Sequence, residues 1–328
     1  MKLYLISKRS YEEIAMTTFR TCTTTSIFTA LMSLFIFSLV QSAELNITTG
    51  GKKGTYFQIG SDISNLVGQH GVRLEVQESK GSLENIIKIN QNSYNQIGIV
   101  QSDILEYLKT SNDYTLQSKA KNITMIATLY NEEVHILTHD STIRELSGLK
   151  GKKVATGPEG SGTAITASLL FKKSGITPSE IVYTSAEQAL SALRSKTIDA
   201  MMYVSGYPVS LFSQIVATDK LHLVPIVGRP IEGAYIMSCI PARTYTWQSG
   251  IVPTIAVKAV LVGYEHDERQ QETKNVCEIS KIIYTNIDWL KKNGHSKWGN
   301  VRLNDQLSGW KKNVCVDDTV TALSSANL

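Results

Sequence analysis

The 328-residue chain contains only four cysteines, with no CxxC pair and no Cys/His cluster at ligand spacing. A structural zinc centre is therefore excluded. Charge of either sign is also scarce: the formal net charge is +4, and no basic run exceeds Lys-Lys. Nucleic acid is not an expected partner. No GxSxG elbow and no HExxH helix occur, and no nucleophile stands beside an evident base, so nothing argues for an enzyme. Beyond one N-terminal stretch, no run is long and apolar enough to span a bilayer.

That stretch has the form of an export signal. Lys2, Lys8, Arg9 and Arg20 precede an apolar run from Ile27 to Val40, and the small residues Ser42 and Ala43 follow. The pattern predicts a signal peptide over residues 1–43, cleaved near Ser42 or Ala43, and an exported, soluble remainder. Met16 is an alternative start, because Arg20 and the apolar run still make a complete signal. Cys22 leaves with the signal. Of the three remaining thiols, Cys277 and Cys315 are the expected disulfide, since Cys239 sits in an apolar strand-like run; three buried thiols are the alternative.

With 42% apolar residues the chain can bury a core of two-domain size. Its most informative content is a glycine-rich signature that occurs twice. Thr49-Gly50-Gly51-Lys52-Lys53-Gly54-Thr55 and Thr156-Gly157-Pro158-Glu159-Gly160-Ser161-Gly162-Thr163 each follow a short apolar run and precede an amphipathic stretch. A strand, a glycine turn and then a helix expose backbone N–H groups at a helix N-terminus, which suits an anion. Downstream, Ser82–Ile89 leads into Ile97–Val100, and Ser185–Leu193 leads into Ile198–Met201. Each pairs a Ser N-cap and an early Glu with a helical apolar period and a short buried strand. The chain thus reads as two equivalent βαβαβ units.

The first unit has strands at Leu45–Thr48, Val72–Gln77 and Ile97–Val100, with helices at Tyr56–Val67 and Leu83–Asn90. Gln101-Ser102-Asp103 caps a further helix, and an extended run crosses Ile123–Thr138. The second unit opens at the turn Gly148–Lys153. It has strands at Val154–Thr156, Ile181–Tyr183 and Ile198–Val204, with a helix at Ala164–Lys173. Gly206-Tyr207-Pro208 caps a short helix, Leu221–Val227 continues the sheet, and Ile240–Tyr245 begins a return. A buried strand follows at Ile251–Val262. A long helix over roughly Glu268–Lys292 then packs back on the first unit. Strands alternating with helices imply parallel sheets.

Rival chemistries fail on detail. Gly157–Thr163 has phosphate-loop glycine spacing but no Lys between Gly162 and Thr163, so an NTPase is excluded; the first turn lacks GxGxxG. His135 and His139 lie in an alternating run and read as surface or satisfied strand histidines. Glu132-Glu133 and Asp317-Asp318 read as solvated turns. Neutral donors at predicted helix starts remain: Thr55, Ser82, Asn85, Gln101, Ser161 and Thr163, with Gly162 permitting close backbone approach. They fall at the C-terminal edge of the strands, where open α/β sheets take ligands. Each hydroxyl or amide can equally serve only its own helix as a cap. Tyr56 and Tyr203 are candidate pocket walls.

At these residues the chain resembles the TAXI-type solute-binding proteins of TRAP transporters. The matching segments are Thr49–Phe57 with Gly60, Gly81–Asn85, Gly98–Asp103, Leu149–Val154, Gly157–Thr163, Ile198–Ala200 with Gly206-Tyr207-Pro208, and Ile240–Ala242. They run in order through nearly the whole chain after the signal. The resemblance implies a two-lobed, type II-like periplasmic binding protein fold, each lobe a mainly parallel sheet flanked by helices. Residues 44–138 plus 240–328 would form one lobe and 139–239 the other. It further implies a small-carboxylate ligand such as glutamate, 2-oxoglutarate or another dicarboxylate, delivered in the periplasm to TRAP-type membrane permease subunits. The family's binding-turn pattern carries over to Thr55, Tyr56, Ser82, Asn85, Gln101, Ser161, Gly162 and Thr163. A monomer with no cofactor, no metal and no catalytic residue is expected. Presentation of the ligand to a membrane sensor kinase is the alternative role. Two positions depart from the family: Ala164 stands where Glu is frequent, and Arg243 where Gly is common, a cation that could lie near the cleft.

Overall fold

The computed structural model describes residues 45–91, 95–228, 235–265 and 271–316. Residues 44–328 form one compact unit. The expected signal peptide and the Asp317-Asp318 pair lie outside the described residues.

The first repeat folds as β1 (Leu45–Thr48), α1 (Thr55–Gln69), β2 (Leu74–Gln77), α2 (Ser82–Gln91) and β3 (Asn95–Gln101). It continues through α3 (Ile104–Thr110) and α4 (Tyr114–Lys119) into β4 (Ile123–Thr138). The second folds as β5 (Lys153–Ala155), α5 (Gly162–Ser174), β6 (Glu180–Val182), α6 (Ala186–Arg194) and β7 (Ala200–Ser205). The short β8 (His222–Leu223), then β9 (Ile236–Ile240) and β10 (Val252–Tyr264), precede α7 (Gln271–Thr285) and α8 (Ile287–Asn293).

All ten strands join one sheet in the order β2-β1-β3-β10-β4-β7-β5-β6, with β8 paired to β4 and β9 to β10. β1 lies parallel between β2 and β3, and β5 lies parallel between β6 and β7. These two triplets are the two repeats. Antiparallel β4 and β10 run between them. The early part of β4 pairs with β10, and its later part, from Glu133 to Thr138, pairs with β7. β10 pairs with β9 up to Ala256 and with β3 from Ala259 onward. Both strands therefore cross from one half to the other, and both are almost wholly buried, in keeping with their β-branched, apolar sequences.

Packing follows the helical periods. Ile59, Ile63, Leu66 and Val67 of α1 meet Val276, Ile279 and Ile283 of α7 in one core over β1 and β3. Helix α5 lies between the halves: Ile165 and Leu169 join Ile86, Ile104 and Leu108, whereas Ala167, Leu170 and Phe171 pack under β5 and β7. A helix buried on most faces needs only a narrow polar side, here Ser168 and Lys172.

Four readings of the sequence require correction. Glu132 and Glu133 are not a solvated turn; each is 3% exposed, within unbroken β4. The predicted long helix divides into α7 and α8 at Asn286, whose side-chain amide donates to the Ile282 carbonyl; residues 268–270 lie outside the description. The sheet beyond Leu221 is only the two-residue β8, and the return comes earlier than expected, as β9. The Cys239 thiol is exposed on β9 rather than buried, and Cys277 and Cys315 form a disulfide.

Candidate functional site

A cavity of about 670 Å³ opens where the C-terminal ends of β1 and β3 meet those of β5 and β7. Four helices of at least nine residues begin on it. Gly54, Thr55 and Tyr56 start α1; Gly81 and Ser82 start α2; Ser161, Gly162 and Thr163 start α5; Ser185, Ala186 and Glu187 start α6. The first-turn N–H groups of a helix have no intrahelical acceptor and carry the positive end of its dipole. Four such ends around one cavity suit an anion.

Their capping chemistry determines which donors stay open. Ser161 Oγ accepts from Ala164 N at 3.2 Å, so its hydroxyl serves its own helix and leaves the Gly162 and Thr163 N–H groups free of capping. Thr163 Oγ1 accepts from Val204 N at 3.1 Å. Ser82 Oγ accepts from Gln101 N at 3.0 Å. The second-turn hydroxyls and that of Ser82 thus accept from backbone N–H groups of the chain itself. The second turn reaches this shape through Gly157, at φ +83°. Gly162 leaves room for the Gln101 side-chain amide, which a Cβ there would displace.

Of the nine predicted ligand-binding residues, eight line the cavity: Thr55, Tyr56, Ser82, Gln101, Ser161, Gly162, Thr163 and Tyr203. Asn85 is not among the lining residues. It is fully buried; its amide donates to the Thr49 and Ile99 carbonyls and its Oδ1 accepts from Ser79, so it braces the first glycine turn. Arg243 is exposed and away from the cavity, at φ +60°. That left-handed backbone gives glycine a physical reason at this position. Ala164 is buried just inside α5 and adds no polar group.

The two halves touch around the cavity. Leu83 N donates to the Gly160 carbonyl at 3.3 Å, and the Thr55 and Ser205 hydroxyls are 3.5 Å apart. Thr166 Oγ1 on α5 donates to Asp103 Oδ2 at 2.7 Å, and Lys173 pairs with Glu106 at 2.7 Å.

Sequence reasoning missed the acidic groups. Glu132 lines the cavity and accepts the Tyr56 hydroxyl proton at 2.6 Å. Burial pushes its pKa up to about 8, against the Tyr56 hydrogen bond. Burial likewise pushes Asp103 up to about 7, against the Thr166 hydrogen bond. Burial raises Glu133 too, opposed by the nearby Lys297 ammonium at 3.6 Å. A usable signal existed: two carboxylates inside a sixteen-residue strand pattern that contains neither glycine nor proline. His135 is fully buried, with Nδ1 at 2.9 Å from the Glu133 carbonyl and Nε2 at 3.0 Å from the Tyr245 hydroxyl. Burial lowers it to about 4, so it stays neutral.

Two crossing strands, two parallel triplets and a cavity ringed by helix N-termini define the two-lobed periplasmic binding protein fold. Solved structures share it. One of a periplasmic transporter matches at 13% identity over 88% of this chain and 96% of that one, with a TM-score of 0.53. The periplasmic binding protein BugD matches at 10% identity over 86% and 97%, with a TM-score of 0.52. A histidine kinase sensor domain with similarity to periplasmic binding proteins matches at 12% identity over 79% and 97%, with a TM-score of 0.50. The family model that matches residues 47–310 is that of the NMT1-like family, and the chain belongs to it.

Proposed function

We propose that this protein is an extracytoplasmic solute-binding protein of TAXI type, which captures a small carboxylate and hands it to TRAP-type permease subunits in the membrane. The observation that carries the reading is the convergence of four helix N-termini, with uncapped Gly162 and Thr163 N–H groups, on one cavity between the halves. A carboxylate takes two or three such N–H donors and needs no counter-cation, and none is buried there beside Gly162.

On this reading residues 44–138 with 240–328 form one lobe and 139–239 the other. They open and close by bending β4 and β10 where those strands cross, and ligand shifts the population toward the closed state. The export signal in residues 1–43 supports a periplasmic location, and a monomer suffices because the cavity is completed within one chain.

Thermal-shift measurement against mono- and dicarboxylates, including glutamate, 2-oxoglutarate and succinate, tests the reading. At least one is expected to raise Tm in a concentration-dependent way. A flat response across the whole panel would defeat it.

A further inference from the structure

Glu132 is 3% exposed and lines the cavity, and among the described residues its single hydrogen bond comes from the Tyr56 hydroxyl to Oε2. Oε1 has no hydrogen-bond partner among the described residues. Burying an ionised carboxylate that lacks a cation is costly. The groups that face it offer little relief. Glu133 adjoins it on β4, Asp103 approaches from the corner after β3, and the hydroxyls of Tyr56, Tyr130 and Tyr203 come from α1, β4 and β7. The facing cation is Lys297, whose ammonium is 3.6 Å from Glu133 and 4.2 Å from the centre of the Tyr207 ring. Glu132 and Glu133 thus share one ammonium that is already engaged, and Asp103 adds a third carboxylate.

An anion held on the helix N-termini brings another negative charge into the same space and favours the neutral acid further. A neutral carboxyl that accepts from Tyr56 on Oε2 has one O–H left, on Oε1.

We propose that Glu132 is a specificity-determining residue of this cavity: it keeps a proton on Oε1 and donates it to an oxygen of the bound anion. The inference rests on the carboxylate-binding reading above and names the ligand class within it, an oxo- or hydroxycarboxylate rather than an amino acid. An ammonium at that point sets donor against donor and leaves the Glu132 O–H unpaired in a buried site. It also meets four helix N-termini and a rim where Lys52, Lys53 and Lys80 outnumber Glu78 and Glu187.

The test is calorimetric titration of 2-oxoglutarate and L-glutamate into the wild-type protein, Glu132→Gln and Glu132→Leu across pH 6–9. 2-Oxoglutarate is expected to bind the wild type on the order of tenfold tighter than L-glutamate, and to weaken as pH rises past 8. Glu132→Leu should lose roughly tenfold for 2-oxoglutarate. Glu132→Gln, which keeps a donor, should lose less and shed the fall-off above pH 8. Tighter binding of L-glutamate that Glu132→Gln abolishes would overturn the proposal, because it makes Glu132 the anion that holds an amine. If neither probe binds, infrared titration of the unliganded protein still decides. A protonated-carboxyl band at pH 7 that vanishes in Glu132→Gln supports the proton on Glu132, and an ionised Glu132 at pH 7 overturns it, whatever becomes of the transport reading.

Discussion

The Tyr56 hydroxyl lies 2.6 Å from Glu132 Oε2, both side chains are buried, and 76 positions separate them in the chain. The bond ties the helix that follows the first glycine turn to the strand that crosses between the halves. Any movement of α1 against β4 must stretch it. The first turn is therefore coupled to the crossing strands through a side chain, whereas the second turn acts through its backbone.

Tyr56→Phe removes this donor and leaves Glu132 with no hydrogen bond from the described residues. A cost of about 1–3 kcal/mol in unfolding free energy is expected, the range for a buried polar group left unpaired. Glu132 should also titrate at higher pH, because the Tyr56 bond is its principal lowering influence. Urea denaturation at pH 6 and infrared titration of the carboxyl region measure the two effects.

Gly162→Ala separates binding from folding. The new methyl falls on the far end of the Gln101 side chain, which can swing aside, and Gly162 is an ordinary first-turn helical residue that Ala adopts readily. Stability should change by less than about 1 kcal/mol. The displaced Gln101 amide then intrudes on the cavity beside the Gly162 and Thr163 N–H groups, and affinity for whichever carboxylate binds should fall by about tenfold or more. Calorimetry beside thermal unfolding checks both halves of this expectation. Unchanged affinity would remove the second turn from the site.

Stability should fall as pH rises toward 8. Asp103 titrates near 7 in the folded protein against 3.8 as its ordinary value, and Glu132 near 8 against 4.5. Between those limits the folded state holds protons that the unfolded chain has released, so stabilisation present at low pH is lost through the window. His135 acts oppositely, since it is neutral down to about 4 when folded but charges near 6.5 when unfolded. It offsets part of the fall below 6.5, so the steepest decline is expected between about 6.5 and 8. Urea midpoints taken at half-unit pH steps should trace this curve, and Asp103→Asn should flatten it. A midpoint that climbs from pH 6.5 to 8 would refute the assignment.

The Cys277–Cys315 bridge closes a 38-residue separation and ties α7 to the segment after Trp310. A loop of that length constrains the unfolded chain by about 4 kcal/mol on the chain-entropy account. Cys277→Ala with Cys315→Ala, or reduction of the wild type, should lower unfolding free energy by up to that amount while leaving cavity affinity unchanged. Chemical denaturation with and without reductant measures it.

The sequence was most readable where one period ruled a segment. The alternation of strand, glycine turn and helix, together with the Ser82 and Ser185 starts, was enough to give the twin repeats, because each uses local chemistry that needs no partner to be recognised. β4 shows where that reading stops. Its register with both β10 and β7 is set by neighbours far away in sequence, so two glutamates inside it looked like solvent-facing polar residues. Burial became visible only when Lys297, 164 positions beyond Glu133, was placed against it. Hydroxyls gave the reverse error. Ser161, Thr163 and Ser82 lie at the cavity as expected, but each is taken by a backbone N–H, a choice that sequence spacing alone leaves open. Asn85 was drawn into the ligand set by its place in a shared motif, yet its three hydrogen bonds all go to the turn and sheet around it.

Lys297 is the sharpest remaining test of this buried charge cluster. It sits in the turn Ser296–Asn300, which is pinned to α1 where Asp62 Oδ2 accepts from His295 N at 2.7 Å and from Trp298 Nε1 at 2.8 Å. Trp298 is fully buried, so the turn cannot easily shift to release the lysine. From there the ammonium reaches Glu133 at 3.6 Å and lies over the Tyr207 ring at 4.2 Å. Lys297→Met keeps the packed stem but deletes the charge, leaving Glu133 with neutral donors, the Ser238 hydroxyl at 3.3 Å and the Tyr207 backbone. Breaking a buried pair on one side costs about 3–5 kcal/mol. Burial raises Glu133, so the deficit should grow as pH rises and the carboxylate ionises, and should shrink toward acid, where a neutral carboxyl no longer needs the cation. Lys297→Met with Glu133→Gln should recover most of the loss at pH 8, because neither charge is then buried alone. Urea denaturation of the two single variants and the double variant at both pH values completes the cycle; equal deficits at pH 5 and pH 8 would assign Lys297 to packing rather than to charge.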